Sequence, residues 1–238
     1  MSKPVRRYKK RKATAAPLSE GLKKIIRSSS KRMPAETYGM STVVTRNPLG
    51  LNNKRDVILT YTYVYEDTTA SPGLYDNIFC GNGVFQPKYA AATSQPLAFD
   101  QYAALYNSYH CKASSIEVQV FNDTGTYNHI IVQPQPYSTA FDSRQKACEQ
   151  PKAKWKILEE STGLNRQATI KHYATTKEIL ERNNMGDDTN ALVTANPASM
   201  WYWHLTARPH NDIAQNIFVV VRIKYYVQFF EPKALPLS

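Results

Sequence analysis

The sequence predicts an all-β protein: a single eight-stranded jelly roll, made of two packed four-stranded antiparallel sheets, behind a disordered basic N-terminal arm. Three observations support this prediction. Eight segments after residue 53 have the alternation of apolar or aromatic with other residues that is typical of strands. Only one segment among them has helical spacing, and the connections at 134–151 and 177–197 are long. Long irregular connections suit a double-sheet jelly roll better than an up-and-down barrel with tight hairpins.

The predicted strands are rich in β-branched and aromatic residues, which favour extended backbone. In chain order they cover 57–65, 78–84, 116–120, 127–133, 154–159, 168–175, 201–206 and 217–229. The last is the clearest, because seven apolar residues from Ile217 to Phe229 occupy alternate positions. We expect Trp201 and Trp203, which share one strand face, to fill the core. We expect Gly81-Asn82-Gly83 to form a turn or a backbone constriction.

The net charge of +11 lies entirely in the first 32 of the 238 residues. This segment contains twelve cationic side chains and one acid, whereas the rest of the chain carries eighteen of each sign and is neutral. We predict that the twelve cations bind nucleic acid, because neutralising phosphates releases counterions without any reading of base sequence. They are Lys3, Arg6, Arg7, Lys9, Lys10, Arg11, Lys12, Lys23, Lys24, Arg27, Lys31 and Arg32. A charged tail that binds nothing is the alternative.

The chain divides into an arm with its linker, residues 1–53, and a shell domain, residues 54–238. The arm lacks strand periodicity, and its first twelve residues hold seven cations, a density that repels itself and opposes packing. We therefore expect the arm to be largely disordered. One dense basic run within it also matches a nuclear-import signal, as many basic runs do. That run comprises Arg6, Arg7, Lys9, Lys10, Arg11 and Lys12.

The sequence contains no pattern typical of a catalytic, metal or cofactor site. Its five histidines are dispersed, and none has the spacing to a second histidine or to a cysteine that metal sites use. Asp187 and Asp188 could supply oxygen ligands to a calcium ion, although an exposed turn is the preferred interpretation. Cys80, Cys111 and Cys148 are expected to be reduced and buried, without a disulfide. We therefore expect no enzyme activity, no metal and no cofactor, and also no membrane insertion.

Residues 99–118 give a more specific indication. Phe99, Tyr102, Ala103, Tyr106 and Tyr109 have helical spacing and predict a helix. The block resembles the capsid proteins of small circular Rep-encoding single-stranded DNA viruses, the circovirus-like capsids. In that family a helix with a W/Y-x3-Y-x2-Y-like pattern runs directly into a strand that reads S-x-I-x-V. The residues that fit this pattern are Tyr102, Tyr106, Tyr109, Ser114, Ile116 and Val118.

The resemblance implies a single jelly roll that assembles with copies of itself into an icosahedral shell of roughly sixty subunits. It implies that the arm faces a circular single-stranded DNA genome. The chain is also rich in aromatic residues, with sixteen tyrosines and three tryptophans, and exposed rings on the genome side could stack on unpaired bases. The protein would then belong to the virion and enter the host nucleus during assembly through the nuclear-import machinery. The resemblance identifies neither the genus nor a cell-surface receptor.

Two other functions are compatible with the charge distribution. The capsid protein of a satellite-like small RNA virus would have the same fold and arm, since basic arms bind either polymer. A cellular nucleic-acid-binding structural protein, such as a ribosomal or chromatin component, belongs to a different class. Its body would normally carry basic patches as well, whereas the body of this chain has no net charge.

Overall fold

The computed structural model describes residues 52–69, 75–89, 91, 94–123, 126–160, 162–181, 187–210 and 215–234. Strands in these ranges are β1 (Lys54–Thr69), β2 (Tyr75–Cys80), β3 (Tyr106–Asn122), β4 (Asn128–Gln135), β5 (Lys154–Leu158), β6 (Gln167–Thr175), β7 (Asn190–Leu192), β8 (Tyr202–Pro209) and β9 (Gln215–Pro232). Helices are α1 (Phe99–Leu105), α2 (Arg144–Glu149) and α3 (Thr176–Ile179), with a 3₁₀ turn at Asp187–Thr189. No helix in the described ranges is long and apolar enough to cross a membrane.

The strands form two antiparallel sheets whose order identifies the fold. One sheet has the order β1-β9-β3-β6, and the other has the order β2-β8-β4-β5. The first strand therefore pairs with the last, the second pairs with the next to last, and the chain crosses repeatedly between the sheets. This wrapping is the arrangement of a double-sheet jelly roll. The predicted fold class is confirmed, and all eight predicted strands are present.

The first sheet has a fifth strand that the sequence did not predict. Residues Asn190–Leu192 form β7, which pairs with Ser108–His110 of β3. On that side of β3, β6 pairs only with Ala113–Phe121. The start of β3 would otherwise leave its backbone groups unpaired, and unpaired buried backbone groups cost free energy. The prediction of two four-stranded sheets is therefore wrong by one short strand.

The predicted helix is shorter than its spacing indicated. Helix α1 ends at Leu105, and Tyr106 has extended backbone angles of φ −125° and ψ 154°. From there the chain belongs to β3, where Tyr106 pairs with Pro232 and Tyr109 with Phe229. Both tyrosine rings pack beside the Phe229 ring, with centroid distances of 6.1 and 6.2 Å. The ladder with β9 therefore overrides the helical spacing of these two aromatics, while the predicted helix-to-strand junction is present.

The core lies between the two sheets and has the predicted composition. All seven alternating residues from Ile217 to Phe229 in β9 are at most 2% exposed. Trp201 and Trp203 are fully buried, and their rings meet edge to face at a centroid distance of 5.2 Å. Phe99 of α1 is also buried and packs against Phe229. Burial of these large rings supplies much of the hydrophobic stabilisation.

The outer faces of the two sheets differ. On the four-stranded sheet, the connection between β4 and β5 covers outward-facing residues, since Tyr137 and Phe141 contact the buried His204 ring. On the five-stranded sheet, outward-facing Ile58 and Tyr173 are 61% and 53% exposed. This part of the second face is therefore open and accessible for binding.

Candidate nucleic-acid interface

The predicted nucleic-acid-binding residues, Lys3 to Arg32, lie outside the described residues, and so does the basic run Arg6–Lys12. Their binding role therefore stays a prediction, as does the boundary between arm and shell domain. The described chain begins at residue 52 and enters the five-stranded sheet at Lys54. That sheet carries a second basic surface, which the sequence did not predict.

A groove of about 430 Å³ lies on the open face of the five-stranded sheet. The strand register brings its side chains together in rows. In one row Arg222 of β9, Glu117 of β3 and Lys171 of β6 are neighbours. In the next row Lys224, Ser115 and Tyr173 are neighbours. We call this surface the sheet groove, and its polar and aromatic lining is Ser115, Glu117, Lys154, Lys171, His172, Tyr173, Arg222, Lys224 and Tyr226.

The sheet groove has an excess of positive charge. Lys154, Lys171, Arg222 and Lys224 line it, and Glu117 is the one acid among the described lining residues. Lys171 Nζ lies 3.2 Å from Glu117 Oε1. Burial alone would raise the pKa of Glu117, but hydrogen bonds from Lys171 and Gln119, with the charges of Lys171 and Arg222, lower it overall. Glu117 is therefore ionised at neutral pH, and the groove keeps a net charge of about +3.

Two tyrosines form the aromatic part of the groove. The ring centroids of Tyr173 and Tyr226 lie 5.8 Å apart, and the ring planes meet at 77°. Tyr173 projects from β6 and is 53% exposed, whereas Tyr226 projects from β9 and is half-buried. Their edge-to-face contact holds both rings beside the cations, so the surface offers aromatic faces next to positive charge.

A neighbouring depression on the same face of the sheet is closer to the start of β1. Lys54, His110, Lys112 and Gln228 are among the residues that line it. Lys112 Nζ lies 2.7 Å from Asp56 Oδ1, and the hydrogen bond from Lys112 lowers the pKa of Asp56. Burial lowers the pKa of His110, so this ring is neutral at pH 7. With Asp56 paired to Lys112, the depression keeps about one positive charge, from Lys54, compared with about +3 in the sheet groove.

Only part of the sheet groove could be predicted from the sequence. Arg222 and Lys224 are visible as polar positions that alternate with the apolar residues of the last strand. The total charge of the body is zero, and that sum concealed the local cluster. Because the body does carry a basic patch, its zero net charge no longer argues against a cellular nucleic-acid-binding protein. Recognising the cluster requires the register between β9, β3 and β6, because Lys171 and Tyr173 lie some 50 positions from Arg222 in the chain.

Asp188 and Gly81, which the sequence raised as possible features, each have a defined neighbour. In the described part of the chain, no group of three or more His, Cys, Asp or Glu residues is placed to hold a metal ion. The Asp188 carboxylate accepts a hydrogen bond of 2.7 Å from the Ser199 hydroxyl. A side chain at Gly81 would overlap the Trp201 ring, which confirms a backbone constriction there.

The three cysteines are free thiols in the structure. Cys80 and Cys111 are buried, and burial raises the pKa of each thiol to about 12. Cys148 is partly exposed, so the prediction of burial is wrong for this residue, and partial burial raises the pKa of its thiol as well. Because the thiolate is the reactive form, none of the three has the environment of a nucleophile.

No protein-family model and no curated protein matches the chain. Solved structures with a similar fold include the 60-mer of the BFDV capsid protein, 15% identical, with a TM-score of 0.40, covering 79% of this chain and 100% of that chain. Cocksfoot mottle virus is 9% identical, with a TM-score of 0.46, covering 76% and 96%. The particle of the giant freshwater prawn Macrobrachium rosenbergii nodavirus is 9% identical, with a TM-score of 0.43, covering 77% and 97%. Likenesses this distant carry no argument, so the fold assignment depends on the strand order.

Proposed function

We propose that this chain is a viral capsid protein that assembles with copies of itself into a small icosahedral shell and packages a circular single-stranded DNA genome through its basic N-terminal arm. The observation that carries the proposal is the separation of charge. A net charge of +11 lies in the first 32 residues, while the remaining residues are neutral in sum and the strands from Lys54 to Pro232 form a jelly roll. A neutral body can pack closely against copies of itself, whereas a cationic arm binds a polyanion.

The division of labour follows from the two kinds of segment. The two-sheet body is rigid because its large rings are fully buried, and such a body suits repeated contacts in a symmetric shell. The arm binds phosphates without reading bases, so it can package any sequence. Roughly sixty arms would supply about 660 positive charges toward the phosphates of a small genome.

The basic run Arg6–Lys12 has a second proposed role in the same cycle. Before assembly the arm is accessible, so this run can act as a nuclear-import signal recognised by the host import machinery. After assembly the arm faces the genome. The proposed locations are therefore the host nucleus during assembly and the virion afterwards.

The resemblance of residues 99–118 to circovirus-like capsids is what favours DNA over RNA as the packaged polymer. The fold supports that resemblance only in part. The helix-to-strand junction is present at Leu105 and Tyr106, and Ser114, Ile116 and Val118 lie on β3 as the pattern requires. A capsid protein of a satellite-like RNA virus would have the same arm and the same strand order.

Particles provide the test. Expressed protein should form uniform particles by negative-stain electron microscopy. Nucleic acid extracted from virions, rather than from particles assembled in an expression host, should be degraded by DNase and resist RNase. Virions whose nucleic acid is degraded only by RNase would move the assignment to an RNA virus. Failure to form particles under any assembly condition would contradict the capsid function and favour a cellular nucleic-acid-binding protein.

A further inference from the structure

We infer that the sheet groove is a second nucleic-acid site on the shell domain, in which phosphates bind the cations and an unpaired base stacks on the tyrosine pair. The inference rests on the proposed function in that the ligand is the same single-stranded polymer. It assigns binding residues to the body, which has no net charge overall. The residues proposed to act are Lys171, Arg222 and Lys224 for phosphates and Tyr173 and Tyr226 for bases.

The spacing of the cations suits a flexible phosphate chain. Arg222 and Lys224 are alternate residues of β9, so their side chains leave the sheet roughly 7 Å apart. Lys171 is two strands away, or roughly 10 Å. Lys171 also contacts Glu117, so Arg222 and Lys224 are expected to be the stronger phosphate ligands. The three cations can contact about two or three phosphates of one strand.

The tyrosine pair selects for an unpaired strand. Aromatic side chains bind any base by stacking, but only a base that is free of a duplex exposes its face. Tyr173 is 53% exposed and lies in the same row as Lys224, so a base can reach its ring while the adjoining phosphate contacts the cation. A sulfated polysaccharide would use the cations and leave the rings without a role.

The groove lies on the same face of the sheet as Lys54, where the described chain enters β1. Lys54, where the chain enters β1, and Thr60, which is paired with Lys224, project from the same face because an even number of residues separates them. The distance between them along β1 is roughly 20 Å. The described chain therefore enters the sheet on the face that holds the groove.

The test is photo-crosslinking of the full chain to a single-stranded oligodeoxynucleotide that carries 5-iododeoxyuridine, followed by peptide mass spectrometry. We expect adducts on Tyr8 of the arm and on Tyr226 or Tyr173 of the sheet groove. Replacing Arg222→Gln together with Lys224→Gln should lower the groove adducts roughly fivefold or more and leave the Tyr8 adduct unchanged. The control pair Lys146→Gln with Lys177→Gln removes the same charge from exposed positions outside the groove and should change neither adduct.

Aromatic variants test the stacking step. With the adduct on Tyr173 as readout, Tyr226→Phe should retain crosslinking, whereas Tyr226→Ala should lower it roughly fivefold or more. Circular dichroism of each variant should keep the β signature, so that loss of folding is separated from loss of binding.

The outcomes distinguish the two proposals. An adduct on Tyr8 without any on Tyr173 or Tyr226 overturns the groove inference and leaves the packaging arm in place. Absence of both adducts contradicts the proposed function as well. If the Arg222→Gln and Lys224→Gln pair weakens binding to heparin while the groove adducts persist unchanged, the groove is a polysaccharide site and the inference is overturned.

Discussion

Trp203 Nε1 donates a hydrogen bond of 2.9 Å to Ser114 Oγ, which joins β8 of one sheet to β3 of the other. The Ser114 hydroxyl in turn donates to the Gly81 carbonyl oxygen at 2.6 Å. All of these groups are buried, so each polar atom depends on its partner in the core. The serine of the S-x-I-x-V pattern therefore has a structural role, because it links the two sheets.

Replacing Ser114→Ala should destabilise the shell domain by about 1–3 kcal/mol, because the Trp203 indole N–H and the Gly81 carbonyl both lose a buried partner. The free energy of unfolding from urea titrations checks this, with tryptophan fluorescence as the signal. Ser115→Ala is the matched control, because Ser115 is the next residue of β3 and its side chain projects to the opposite face of the sheet from that of Ser114. That variant should change stability by less than about 0.5 kcal/mol. Equal stability of both variants would contradict the role of the Trp203–Ser114 bond.

Acid should weaken the fold through His172. Burial lowers the pKa of this ring, although its hydrogen bond to the Lys152 carbonyl acts in the opposite direction. The Lys152 carbonyl lies 2.6 Å from Nε2, and the Tyr173 amide donates to Nδ1 at 2.8 Å. This arrangement fits a neutral ring that donates from Nε2 and accepts at Nδ1. Protonation of Nδ1 would break the bond from the Tyr173 amide, with the Tyr173 carbonyl oxygen, 3.1 Å away, as the remaining partner.

The direction of the pH effect follows from the lowered pKa. Below the ordinary histidine pKa of about 6.5 the unfolded chain takes up a proton before the folded chain does, so stability falls as pH decreases through that window. Urea midpoints at about pH 7.5 and about pH 5.5 measure the loss on either side of that value. His172→Gln should reduce the loss relative to the parent, whereas His210→Gln, at an exposed position, should not. Stability that rises on acidification would contradict this account.

The strands were predictable because their residues follow a period of two, and that period reflects burial on one face. Ile217 to Phe229 alternate in the sequence and are buried in the same alternation in the structure. Trp201 and Trp203 were assigned to the core for the same reason, and both are fully buried. Local alternation therefore sufficed for the elements and for much of the core.

The remaining features depend on which strands are neighbours. Tyr106 and Tyr109 have helical spacing, but pairing with β9 makes them extended. Strand β7 has only three residues and forms because β6 leaves part of β3 unpaired. In the sheet groove, Lys171 and Arg222 lie on either side of an intervening strand. A local sequence pattern does not show which strands are neighbours, so it could not bring these two residues together.

Deleting residues 2–32 should leave the shell domain folded, because this segment contains no predicted strand. Circular dichroism should keep its β signature, and the nucleic acid content per particle should fall sharply. Loss of the folded body on truncation would show that the boundary between arm and shell domain is misplaced.

The salt dependence of binding to single-stranded DNA tests the packaging arm most directly. If most of the +11 charge neutralises phosphates, the logarithm of affinity should fall linearly with the logarithm of salt concentration, with a slope of roughly −5 to −8. Neutral residues in place of Arg6, Arg7, Lys9, Lys10, Arg11 and Lys12 should flatten that slope by about four, and scrambling the DNA sequence should change little. A flat salt dependence, or a strong preference for one sequence that disappears with a single arginine, would contradict packaging by the arm.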